Sequence, residues 1–302
     1  MAGAIRRQPL LDDGFLGALE TLELYLRSAV GSRFAGNRKS RAFGGVSEFA
    51  DYREYQRGDD LRRIDWNLVG RTGQYFIKRF MDERKQDVHI YIDASASMLG
   101  EGDGSKPLCA LRLAAAVGYL AVSAMDSVSF RLLSGHACRD LGGKINGRIA
   151  LFRALETLSD VSFAGDCDLG AAVAADASPG YDDGLSLIIS DFLTDSNWKR
   201  AVDRLRMRKR EVTLARIISP GEEKPGYRGM QSLKDAENPS AEAVRLEVDR
   251  EALKAYQEGL TWFSADMASF CASRGVGLLC LRSDESVQDA LIKNGFGAGL
   301  IQ

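Results

Sequence analysis

The stretch VHIYIDASASM, Val88–Met98, decides how this chain folds. Val88 to Ile92 make a short run rich in β-branched and aromatic side chains, of strand rather than helix length. Asp93 ends it, Ser95 and Ser97 follow at alternate positions, and a helical pattern of apolar residues begins soon after. A strand without polar alternation is buried on both faces. Helices covering the two sides of a parallel sheet provide that burial.

Working outward, similar runs recur at SVSFRLLS (127–134), LSLIIS (185–190), EVTLARIIS (211–219) and VGLLCLR (276–282). Helical patterns near 106–125, 146–159, 168–177, 196–209 and 253–274 lie between or before them. The alternation predicts an α/β fold: a three-layer, doubly wound, mostly parallel sheet of the Rossmann-like kind. The turn in SGHACRD predicts an antiparallel edge strand, CRDL, and residues 220–250 read as a polar, turn-rich excursion. Apolar spacing over 10–30 predicts an amphipathic helix, followed by a connector to about residue 45. Residues 46–84 interleave charges of both signs with aromatics and show no period. They predict an irregular wrap with a short strand near Tyr75–Arg79, anchored by burial of Trp66 and the tyrosines. The plan is therefore an N-terminal helix and connector (1–45), a charged and aromatic wrapping segment (46–84), and a sheet domain (85–302).

Composition narrows the function. The 302 residues carry 40 basic and 42 acidic side chains, a net charge of -2, which gives no reason to expect nucleic acid as partner. The opening MAGAIRRQPLLDDG meets Asp12 and Asp13 before any apolar core, unlike a secretory leader. The longest apolar run, Leu113–Met125, is short for a bilayer and reads as a buried helix, so no membrane span is expected. Five cysteines without a C-x-x-C pair fit reduced thiols in a cytoplasm, and Cys271 and Cys280 read as core residues. Two histidines, His89 and His136, leave little material for a zinc site or a Ser-His-Asp triad. RLRMRKRE (204–211) reads as a solvated helix end.

Ligands of doubly wound sheets bind outside the carboxyl ends of the strands, where strand order reverses. Asp93 belongs at that rim. With the Ser95 and Ser97 hydroxyls it makes a hard-oxygen cluster suited to Mg²⁺ or Mn²⁺. Asp191 ends LSLIISD in the same relation to its strand, and FAGDCDLG (163–170) offers Asp166, Cys167 and Asp168. Alone, D-x-S-x-S also describes a capped helix start; Asp191 is what tips the reading toward a site that binds, or once bound, a metal. A dehalogenase-like phosphotransferase would need a second carboxylate where Ser95 stands. GEGDGSKP (100–107) lacks the Gly-Lys-Ser/Thr order of a phosphate loop and reads as a flexible connector.

These three loops resemble the metal-ion-dependent adhesion site of von Willebrand factor A domains. The upstream pattern formed by Arg53, Tyr55, Gly58, Asp59, Arg62, Asp65, Trp66 and Arg71 resembles the hallmark of the bacterial domain-of-unknown-function fifty-eight family, whose members carry an A-like domain. LKDAE (233–237) and the helix and strand after it fit that family's usual ending. The resemblance implies direct or water-mediated ligation of the ion by Asp93, Ser95 and Ser97, with Asp191 as direct or outer ligand. It places Cys167 where the adhesion motif carries threonine; Asp166 and Asp168 are the alternative ligands. It implies a cytoplasmic protein-interaction module rather than an enzyme, working with a MoxR-type AAA+ ATPase in assembly or maturation of other proteins. A metal-free scaffold of the same fold, or a metal-dependent hydrolase using Asp93 or Asp191, are the alternatives. For Asp59, Asp65 and Trp66 the favoured role is structural, with the surrounding arginines paired to acids.

Overall fold

The computed structural model describes residues 10, 12, 14–23, 48–56, 59, 61, 64–81, 86–100, 105–177, 184–193, 197–238, 240–295 and 298. The chain divides into two compact units, residues 1–26 with 86–302, and residues 27–85.

The larger unit is built on a six-stranded sheet. Its strands are β3 (Asp87–Asp93), β4 (Ser127–Ser134), β5 (Ala137–Asp140), β6 (Gly184–Ser190), β7 (Arg210–Ile218) and β10 (Gly277–Arg282), in the spatial order β10-β7-β6-β3-β4-β5. All pairings are parallel except that of β4 with β5, the antiparallel edge expected from CRDL. Each inner strand is buried along nearly its whole length, which explains the missing polar alternation in its sequence. On one face, α1 (residues 14–23), α3 (Ser105–Ser123), α4 (Arg148–Ser159) and α9 (Val287–Asn294) pack on Ile90, Ile92, Phe130, Leu187 and Leu279. On the other, α5 (Leu169–Ala174), α6 (Trp198–Met207) and α8 (Arg250–Arg274) cover Tyr91, Ile188 and Leu214. The three layers follow from period-2 strands feeding both cores.

Four sequence expectations need amendment. The run read as too short for a bilayer belongs to the longer α3, whose Lys106–Ser123 portion is long and apolar enough to cross a membrane by length and composition. Of that stretch 72% is buried inside the fold, so it serves as the central core helix. The polar excursion is partly regular: α7 (Pro220–Glu223) precedes the antiparallel hairpin β8 (Gly229–Leu233) and β9 (Val244–Val248). Its strands are short and mostly exposed; β9 (VRLEV) alternates apolar and polar residues, but β8 (GMQSL) does not. Cys271 is buried, but Cys280 is exposed, because edge strand β10 buries Leu279 and Leu281 and leaves the side chain between them open. The helix expected over 10–30 is seen over 14–23; residues 10 and 12 are not helical, and 11, 13 and 24–30 lie outside the described residues.

In the smaller unit, β1 (Glu48–Glu54) and β2 (Phe76–Met81) pair antiparallel and flank α2 (Trp66–Thr72). Asp65 is its N-cap: Oδ1 accepts from the Asn67 and Leu68 amides, and Oδ2 accepts from the Tyr52 hydroxyl at 2.9 Å. Arg53 donates to Asp59 at 2.7 Å, while Asp59 also accepts from the Gln56 amide. Arg71 lies in the last turn of α2, where a cation complements the helix dipole. The structural reading of Asp59 and Asp65 fits these bonds. Trp66 corrects the expectation of burial: it is 63% exposed and meets Tyr75 edge-on at 6.5 Å. Its place at the first position of a short surface helix points it outward. Tyr55 is partly buried beside Tyr75. Gly58 and Arg62, with Arg57, Asp60 and Arg63, lie outside the described residues.

Candidate functional site

The sheet order creates a single reversal. From β3 the chain crosses to β4 on one side; from β6 it crosses to β7 on the other. The loops leaving the carboxyl ends of β3 and β6 therefore diverge and leave a crevice between them. Asp93 ends β3, and Ser190 ends β6 with Asp191 following.

Asp93 is fully buried. Its Oδ1 accepts from the Ser95 amide at 2.9 Å and its Oδ2 from the Ser190 hydroxyl at 2.6 Å. Burial pushes its carboxyl above the usual range, and the nearby Asp191 charge adds to that, while the Ser190 and Ser95 hydrogen bonds work against it. Ser190 Oγ in turn accepts from the Phe192 amide. Phe192 has φ of 57°, a left-handed backbone that a buried aromatic holds only under the constraint of its surroundings. Ser95 Oγ and Ser97 Oγ stand 3.0 Å apart, with Ser95 fully buried.

The loop carrying Cys167 is tied to both neighbours. Gly135 N–H donates to Asp166 O and Asp168 N–H to Gly135 O, fixing it to the end of β4. Ala96 N–H donates to Gly165 O and Ala164 N–H to Ala94 O, fixing it to the D-x-S-x-S loop. Cys167 is buried, its thiol pushed far up by burial and by Asp93, to which it hydrogen-bonds. It therefore presents a protonated sulfur at the threonine position. Asp168 is occupied as the N-cap of α5, accepting from the Ala171 amide at 2.9 Å, and Asp166 is exposed.

Three residues here were not singled out from sequence. Lys106, fully buried, sends its ammonium to Asp191 Oδ2 at 2.7 Å, Glu222 Oε1 at 2.6 Å and the Ser97 carbonyl at 3.0 Å. Lys106 falls in the stretch read as a flexible connector, but it lies in the first turn of α3 and brings a buried cation to the site; residues 101–104 of that stretch lie outside the described residues. Gly100, at φ +64°, passes so close that a Cβ would lie 3.2 Å from Lys106 Cδ. Glu222 is held by a capping box with Ser219 at the start of α7. Glu237, the last residue of LKDAE, brings its carboxylate beside the Ser97 and Ser95 hydroxyls. Burial raises its pKa first; the hydroxyls oppose this, and Asp93 and Asp191 raise it further. Among the described residues its Oε1 is buried with no hydrogen-bond partner. The sequence signals were faint: a lysine opening an apolar helix, and an acid in a polar excursion.

Among the described residues no three of His, Cys, Asp and Glu converge as a metal-binding cluster. The donors available are instead one fully buried carboxylate, two hydroxyls and the orphaned Glu237 oxygen. All are hard oxygens that fit Mg²⁺ or Mn²⁺. Both carboxylates have each oxygen hydrogen-bonded, Asp93 by the Ser95 amide and the Ser190 hydroxyl, Asp191 by the Leu193 amide and, on Oδ2, by the Lys106 ammonium.

The family model described as Protein of unknown function DUF58 matches residues 51–261. Uncharacterized protein Rv1480 of Mycobacterium tuberculosis is 27% identical over 276 residues, 90% of this chain and 86% of its own. Uncharacterized protein Mb1516 of Mycobacterium bovis matches to the same extent. Among solved structures, the chain is similar to the SpRpn10 VWA domain, with a TM-score of 0.40 and 8% identity over 69% of this chain and 95% of that one. It is also similar to a von Willebrand factor type A protein from Catenulispora acidiphila, with a TM-score of 0.35 and 15% identity over 44% of this chain and 33% of that one. Since the family model covers more than half of its length, this chain belongs to the family described as Protein of unknown function DUF58.

Proposed function

We propose that the chain is a cytoplasmic protein-interaction module that binds rather than turns over its partner. The contact is a partner carboxylate, captured through a Mg²⁺ or Mn²⁺ ion held by Asp93, Ser95 and Ser97. The observation that carries this reading is the convergence of one buried carboxylate and a hydroxyl pair on the crevice where the sheet reverses order. The bound ion would supply an electrophilic centre able to accept a carboxylate oxygen, because neutral hydroxyls leave most of its charge unsatisfied. The chain's own part is orientation. The Ser95 amide and Ser190 hydroxyl fix the Asp93 carboxylate, and Lys106 neutralises Asp191 behind it. The family resemblance suggests a MoxR-type AAA+ ATPase as the partner, with assembly or maturation of other proteins as the joint task.

Calorimetric titration of Mn²⁺ and Mg²⁺ into the wild type and Asp93→Ala tests the site, and capture of a purified MoxR-type ATPase with Mg²⁺ or with EDTA tests its use. Saturable binding lost in the variant, with metal-dependent capture, is expected. A second reading, the metal-free scaffold, is favoured by Lys106, whose ammonium already gives Asp191 a buried cation. Capture that survives both EDTA and Asp93→Ala would select it.

A further inference from the structure

We infer that Glu237 is a cis ligand of the same cation, a carboxylate delivered by the segment between β8 and β9 to complete the site that Cys167 leaves short. The inference rests on the adhesion reading above and adds a residue that the adhesion pattern does not contain.

Four observations converge on it. Glu237 lies at the hydroxyl pair, with Ser97 and Ser95 beside its carboxylate. Among the described residues its Oε1 is buried without a hydrogen-bond partner, although Ser97 and Ser95 bond to the same carboxylate; such an oxygen is costly unless a cation is there. The groups facing it, Asp93 and Asp191, carry the same sign of charge. The one ammonium at the site among the described residues, Lys106, is spent on Asp191, Glu222 and the Ser97 carbonyl. A divalent cation between Glu237, Asp93 and the two hydroxyls satisfies the orphaned oxygen and offsets the crowded charge together. Asp235 prepares the approach, since its Oδ1 accepts from the Glu237 amide at 2.8 Å and from the Asn238 amide at 3.2 Å, closing the backbone into a tight turn. The donor set also suits the substitution at 167. A protonated thiol is a poor ligand for a hard ion, and the hard oxygen missing there is supplied from a different loop.

The test is titration of Mn²⁺, and separately Mg²⁺, into the wild type, Asp93→Ala, Glu237→Gln and Glu237→Ala, with melting curves without metal for each. Affinity should fall at least about tenfold in both Glu237 variants, the order expected for one lost ligand. The metal-free melting temperature of Glu237→Gln should stay level or rise, because a like charge has been removed. An independent measurement uses the wild type alone: Mn²⁺ should broaden the amide resonances of residues 235–238 together with those of 94–97. Wild-type affinity in both Glu237 variants, or broadening confined to 94–97, overturns the inference and leaves the adhesion reading standing. A wild type that binds neither ion overturns both.

Discussion

Replacing Lys106 by methionine keeps the apolar stem of the side chain and removes its ammonium from a place water does not reach. Lys106 is fully buried, and its partners Asp191 and Glu222 have side-chain exposures of 1% and 18%. Without the ammonium, Asp191 keeps, among the described residues, only the Leu193 amide donated to Oδ1, and its Oδ2 is left without a countercharge. Breaking a buried pair in this way costs about 3–5 kcal/mol, because the remaining charge is stranded in a medium that solvates it poorly. Glu222 is less buried and relaxes toward solvent, so the Asp191 contribution dominates. In urea unfolding, Lys106→Met should lose that amount of stability, with a fall in melting temperature on the order of 10 °C. Asp191→Asn alone should also destabilise, by removing the more buried of the ammonium's two carboxylate partners. The double variant should lose less than the sum of the two by about 2 kcal/mol, the coupling of a contacting charged pair. A loss below about 1 kcal/mol for Lys106→Met, or strictly additive losses, would refute the claim that this lysine is the resident counter-charge of Asp191.

Three further outcomes are expected. Cys167→Thr restores a hard oxygen at the crevice and should tighten Mg²⁺ binding about tenfold by calorimetry; unchanged affinity would mean position 167 does not face the ion. His89 is held at a pKa of about 4, first by burial and then by Arg210 and Arg131, against 6.5 in the unfolded chain. The unfolded state therefore takes up a proton that the native state refuses between those values. Stability is fully present above about pH 6.5 and falls toward pH 4, by on the order of 3 kcal/mol, and His89→Gln should remove that part of the slope in urea titrations across this window. Gly277→Ala would set a Cβ 1.9 Å from the Ala298 carbonyl oxygen and 2.6 Å from Thr213 Oγ1. It should break the Thr213–Ala298 hydrogen bond and cost about 1–3 kcal/mol, read as a lowered urea midpoint.

Much of the larger unit was legible in the chain itself. Strands buried on both faces declare themselves as continuous runs, so β3, β4, β6, β7 and β10 fall within a residue or so of where SVSFRLLS, LSLIIS and their kin place them. Asp93 and Asp191 were legible because they end such runs, and strand ends of a parallel sheet share one rim. The strands β8 and β1 were not, since exposed strands impose no strict pattern on their own residues, and the alternation of β9 (VRLEV) is too short to stand out within a polar, turn-rich stretch. Trp66 was misjudged because aromatic character predicts burial only on average, and its helix turns it outward.

The sequence by itself determined the architecture, the rim and the D-x-S-x-S donors, all of which follow from local periodicity and the position of polar residues within it. Tertiary structure alone decided the charge balance of the crevice. Lys106 and Glu222 lie 116 residues apart, and Lys106 and Asp191 lie 85 apart, yet they close on one another at hydrogen-bond distance. The sign and satisfaction of a buried charge depend on which groups share its low-dielectric surroundings. Those neighbours are chosen by how the elements pack, and local pattern carries no record of that choice.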